Sequence, residues 1–290
     1  MWLCGTVCWK GLYPRRADLT HRGRAASGAP HPWPEPAGAA QTVDMADAVV
    51  AVVERMRARE RALAADQEAL RAFLATYRRT TMAVGTAVDD GLFEDAAWVA
   101  RWDVAFADLY LDALDAHLCG ERPPRPWRLA FDAPLDVHPL LRVLLGINAH
   151  VNYDLPQALL AVISADDFSD PALMARRRRD HERIDKVLAS RVAAEDDELA
   201  TTATRTLVDR VLQPFNRLAS KRFLREARIK VWHNTEELHR ARLAGPAAYD
   251  ERLAELEVLS AARVADLLAP GQVLLRLGVA GFGVVLPPAG

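Results

Sequence analysis

From Asp44 to about Leu268, apolar residues return at intervals of three, four and seven, and nowhere do they alternate with period two for long enough to make a strand. That spacing puts the apolar side chains on one stripe of a helix, so an all-α fold is expected, a multi-helix bundle. Val49, Val52, Val53, Met56, Leu63, Leu70, Phe73, Leu74 and Tyr77 mark one long helix, or two with a soft joint near 64–66. A shorter helix is expected over 80–90, ended by Gly91. The next, about 93–118, carries Trp98, Trp102, Phe106, Leu109, Tyr110 and Ala113 on one stripe, the aromatic spine of the core. Closely spaced prolines make 120–127 a rigid connector. A helix over 135–153 then runs into Pro156, where a missing backbone donor predicts a kink or a restart of this central helix, with Asp154 placed to cap it. Further helices are expected at about 171–194, 198–218, 221–243 and 247–268, separated by the polar run 195–198 and by Gly245-Pro246.

The chain of 290 residues, 51% of them hydrophobic, is long enough to bury a sizeable core, and 44–268 reads as a single helical domain. Residues 1–43 hold five prolines and no sustained apolar period and are expected to be a disordered leader, with Met45 as an alternative start. The tail, 269–290, is apolar but too short and too broken by glycine to span a bilayer. Basic and acidic side chains nearly balance, 37 against 39, so no single-sign field draws the chain to nucleic acid or an anionic membrane. A small molecule is the expected partner, and neither nucleic acid nor a membrane span is expected. Cys4, Cys8 and Cys119 are too scattered for a disulfide framework, which points to a reducing, cytoplasmic setting. The sequence carries no signal for a cofactor or for oligomeric state.

The stretch that concentrates chemistry is Gly146-Ile-Asn-Ala-His-Val-Asn-Tyr-Asp-Leu-Pro-Gln157, which sets Asn148, His150, Asn152 and Asp154 between the apolar runs 140–145 and 158–163. A buried polar group without a partner costs on the order of 1–3 kcal/mol, so four together imply either a satisfied hydrogen-bond network or a site. On a straight helix His150, Asp154 and Gln157 share one face, and Asn148 and Asn152 another. A histidine with a carboxylate one turn away is a usable general base, because the carboxylate fixes its tautomer. The catalytic candidates are therefore His150 and Asp154. Asn148, Asn152, Asp180 and Trp232 are candidate substrate contacts. His-x3-acid spacing recurs at His181/Asp185, His233/Glu237, His31/Glu35 and His117/Glu121. Were His150, His181 and His233 brought together with Asp154 and Asp185, a metal site of the helical-bundle kind would be credible. No single residue is assigned as a metal ligand.

Thr76-Tyr-Arg-Arg-Thr-Thr81, Gly91-Leu-Phe-Glu-Asp, Trp98-x3-Trp102-Asp-Val-x-Phe-Ala-Asp-Leu-Tyr110, Pro126-Trp-Arg-Leu-Ala-Phe131 and above all Leu145-Gly-Ile-Asn-Ala-His-Val-Asn-Tyr-Asp-Leu155 resemble the bacterial family catalogued as domain of unknown function five-nine-nine-five, over about 44–268. The resemblance implies an all-helical, cytoplasmic protein with no established activity. Asn148, His150, Asn152 and Asp154 lie within the matching motif. His181 stands where the family pattern often has an aromatic residue.

The run 176–179 reads as a solvated charged surface and Trp232 as a core residue able to wall a pocket. No glycine-rich phosphate loop, Gly-x-Ser-x-Gly elbow or His-Glu-x-x-His occurs, which argues against the common nucleotide, serine-hydrolase and zincin solutions. Two expectations stand side by side. In one the motif serves a small-molecule-binding or structural helical domain. In the other it serves a hydrolase-like or metal-dependent enzyme with His150 and Asp154 as acid–base pair.

Overall fold

The computed structural model describes residues 42–134, 136–137, 139–202 and 228–269, so nearly all of the expected leader and of the expected tail lies outside the described residues. In chain order the helices are α1 (Thr42–Ala62), α2 (Glu68–Asp89), α3 (Ala96–Leu118), α4 (Arg125–Phe131), α5 (Pro139–Ala149), a π turn (His150–Asp154), α6 (Leu155–Val162), α7 (Ala165–Phe168), α8 (Pro171–Thr202), α9 (helical over 228–244) and α10 (Pro246–Leu268). The described residues form no strand.

The soft joint near 64–66 is a true break between α1 and α2. The helix expected over 80–90 is instead the second half of α2, because nothing in 78–80 interrupts the backbone ladder. α2 ends where Gly91 takes a left-handed φ of 71°, with Leu92 N–H donating to Ala87 O and Gly91 N–H to Val88 O. Gly120 closes α3 in the same way, with a φ of 70°.

The proline-rich connector also differs from expectation. Pro124 is the N-cap of α4 and Pro126 lies in its first turn, so the prolines start a helix where a rigid coil was expected. The polar run 195–198 does not divide two helices, since α8 continues to Thr202.

α3 lies at the centre. Its Trp98, Val99, Ala100, Trp102, Phe106, Ala107, Tyr110, Leu111 and Leu114 are buried on all sides of the helix, against an expected single stripe. α1, α2, α4 and α6 pack around it. α1 is fixed to α3 by a buried two-point ion pair, Arg59 Nε to Asp115 Oδ1 at 2.9 Å and Arg59 Nη2 to Asp115 Oδ2 at 2.6 Å. Arg55 pairs with Asp108 one turn to the side. α5 closes on α2 at Gly146, where a Cβ would stand 2.5 Å from the Phe73 ring, so only glycine allows this approach.

Candidate functional site

The backbone between α5 and α6 decides how the motif is presented. Pro156 has no N–H to give the Asn152 carbonyl, and the ladder shifts register through one π turn, in which Leu155 N–H donates to the His150 carbonyl five residues back. Asp154 stays in the right-handed helical region and caps nothing. That corrects its expected capping role: with no helix restart there, the carboxylate is free to serve the core.

Both ends of the pair point inward. His150 is 3% and Asp154 2% exposed, and His150 Nδ1 lies 2.8 Å from Asp154 Oδ2. The same Oδ2 accepts the indole N–H of Trp127, also at 2.8 Å. Trp127 reaches it because α4 begins at the prolines. Around the imidazole the aromatic residues of three helices close in. Phe106 stacks on it at 3.5 Å, nearly parallel, and Tyr77 meets it edge-on at 4.5 Å. Tyr110 and Trp127 stand 5.9 and 5.7 Å away, and Phe73 6.4 Å. Burial drives the imidazole well below its ordinary pKa and the Asp154 carboxyl well above its own, the Trp127 hydrogen bond opposing the latter. The imidazole is therefore neutral, and His150 Nε2 has no hydrogen-bond partner.

One further carboxyl belongs here. Asp103, one turn before Phe106 on α3, is 3% exposed, and burial pushes it up to about 8, so at neutral pH it is a protonated donor. Its Oδ2 and the Tyr110 hydroxyl have no hydrogen-bond partner. Tyr77 is held well above its ordinary pKa chiefly by burial, with Asp103 and then Asp154 the leading charges on it, and its hydroxyl has no hydrogen-bond partner.

The remaining expected contacts go elsewhere. Asn148 Nδ2 donates to Leu144 O and Asn152 Nδ2 to Asn148 O, each at 2.9 Å, as Gln157 does to Tyr153 O at 2.8 Å. These amides bind their own helix four residues back and are not turned to His150. Asp180 accepts the Glu94 and Asp95 amides and the Arg183 guanidinium, anchoring the turn before α3. Trp232 packs against His181 at 5.7 Å. His150 packs on Phe106 and His181 against Trp102, and His233 is on the surface near Glu237, so the three histidines do not assemble. Among the described residues no three His, Cys, Asp or Glu side chains are grouped to hold a metal. Asp185 pairs with Arg228 and leaves His181 alone.

Trp127, Tyr77 and Asp103 were not read as site residues. Asp103 carried a usable signal: its neighbours four residues away on α3, Val99 and Ala107, are both apolar, which places this acid on a buried face.

Residues 49–270 match the family of unknown function DUF5995. The chain belongs to that family. Comparison of this DUF5995 protein with the curated proteins returns no match, and neither does comparison with the solved structures. No described helix is long and apolar enough to cross a membrane.

Proposed function

We propose that this DUF5995 protein is a small-molecule-binding helical domain, with His150 as its recognition group and Asp154 and Trp127 as its positioning residues. One observation carries the reading: His150 Nε2 is deeply buried and unpartnered inside an aromatic enclosure, while Nδ1 is held by Asp154. A purely structural lock needs only the Nδ1 side. Leaving a second polar nitrogen dry costs about 1–3 kcal/mol, and a phenylalanine would fill the same space without that cost. The Tyr77 and Tyr110 rings beside the imidazole carry uncharged hydroxyls, and Asp103, one turn from Phe106, is protonated, which favours an uncharged guest with a planar body and a hydroxyl or amide.

A second reading uses the same geometry. An imidazole whose Nδ1 is held by Asp154, with Nε2 directed at a guest, also serves as a general acid or base according to which of the pair carries the proton, and turnover of the bound molecule would make the domain an enzyme.

Phenol and toluene, equal in size and differing in one hydroxyl, test the binding reading by titration calorimetry on the full chain. Phenol is expected to bind more tightly to the wild type, and His150→Phe to abolish that preference. Equal affinity for the two in the wild type, or a preference that survives in His150→Phe, would overturn the proposal.

A further inference from the structure

A second group of buried polar atoms lies where α3 meets α8, away from His150. Trp98 and Trp102 occupy one face of α3 at a spacing of four residues, and Arg177 and His181 occupy one face of α8 at the same spacing. The faces meet: the Arg177 guanidinium lies over the Trp98 ring at 5.1 Å, and the Trp102 and His181 rings are 6.2 Å apart. All four are buried, Arg177 at 5% exposure included, which corrects the reading of 176–179 as wholly solvated.

Their hydrogen-bonding capacity is largely unused. Neither indole N–H has a partner, nor do Arg177 Nε and Nη1, nor His181 Nε2. Arg177 Nη2 alone is engaged, with Asp167 Oδ2 at 3.0 Å, and that carboxylate also accepts the Ser164 amide in the cap of α7. Stacking on Trp98 covers the face of the guanidinium and leaves its edges unsatisfied. Four of the five unpartnered groups can only donate. A phenylalanine at 98 or 102 would fill the space with no polar group at all, so donors gathered beside a buried cation indicate a guest rich in acceptors.

The charges agree in sign. Arg177 feels Asp167 and Asp95 on one side and Arg101 and Arg176 on the other, leaving one net positive charge among the five, and burial lowers its pKa. His181 is kept neutral by burial and by Arg228 and Arg178. We propose that the α3–α8 seam binds a small monoanionic carboxylate, held by the indole N–H groups of Trp98 and Trp102 with Arg177 as counter-charge. Walls of tryptophan suit an acid with an aromatic or short apolar body.

Benzoate and its uncharged isostere benzamide provide the probes, read on the full chain through the indole N–H resonances in proton–nitrogen NMR, assigned with Trp98→Phe and Trp102→Phe. Benzoate is expected to shift both resonances to saturation and benzamide to shift neither. Arg177→Met is expected to weaken benzoate roughly ten-fold or more. His150→Phe should leave this titration unchanged, which separates the seam from the His150 site. If Arg177→Met fails to fold, Arg177→Lys and Trp102→Phe carry the same comparison. Unmoved indole resonances, equal shifts by benzamide, or undiminished benzoate affinity in the folded variants would overturn the proposal.

Discussion

Replacing Asp103 by Asn should change how stability depends on pH. The folded protein holds the Asp103 proton up to about pH 8, against an ordinary carboxyl value near 3.8. Between those limits the native state carries one more proton at this site than the unfolded chain, so the contribution of Asp103 to stability falls as pH rises and levels off above about 8. Each pH unit in that window is worth about 1.4 kcal/mol, so the site withholds on the order of 4 kcal/mol at pH 7 relative to acid conditions. Asn keeps the size and a donor and removes the titration. Urea unfolding of both proteins at pH 5 and pH 7 isolates the effect, because every other group titrates alike in the two. The stability of Asp103→Asn relative to wild type should increase by roughly 3 kcal/mol between the two values. Parallel profiles would show that Asp103 is ionised in the fold, and would refute the uncharged enclosure built on it.

Asp154→Ala strips Trp127 Nε1 and His150 Nδ1 of their shared hydrogen-bond partner and should lower stability by about 2–4 kcal/mol in the same assay. Asp115→Ala leaves the buried Arg59 guanidinium without its carboxylate, and a loss of about 3–5 kcal/mol is expected, with unfolding still cooperative. Gly146→Ala drives a methyl into the buried Phe73 ring and should cost about 1–3 kcal/mol, with the Phe73 and His150 ring resonances displaced together.

The helical class and the inner faces of most helices were legible because period 3.6 and chain breakers act locally. The joint after α1, the α10 start at Gly245-Pro246 and the role of Trp98, Trp102 and Phe106 in the core follow from spacing alone. Register and partner choice were not legible. Pro156 announces a backbone defect, yet whether it yields a new helix or a π turn depends on packing of the flanking segments, and that choice removed the capping role of Asp154. Two prolines at 124 and 126 restrict a coil and equally start a helix, and only docking of Trp127 on the core distinguishes the outcomes. The pairing of His150 with Asp154 followed from spacing, whereas His181 and Asp185 share that spacing and part company because Arg228, distant in sequence, claims the carboxylate. Arg177 shows the same limit: a run of four arginines must turn one inward on a packed helix, and its neighbours in space decide what it meets.

The central claim, that His150 is a neutral imidazole offering Nε2 to an uncharged guest, is tested most directly by nitrogen NMR of histidine-labelled protein across pH, with and without phenol. The account predicts one imidazole that stays neutral well below its ordinary pKa of 6.5 and whose Nε2 resonance moves when phenol binds. An imidazole at 150 that titrates near the ordinary value, or an Nε2 resonance indifferent to phenol, would contradict it.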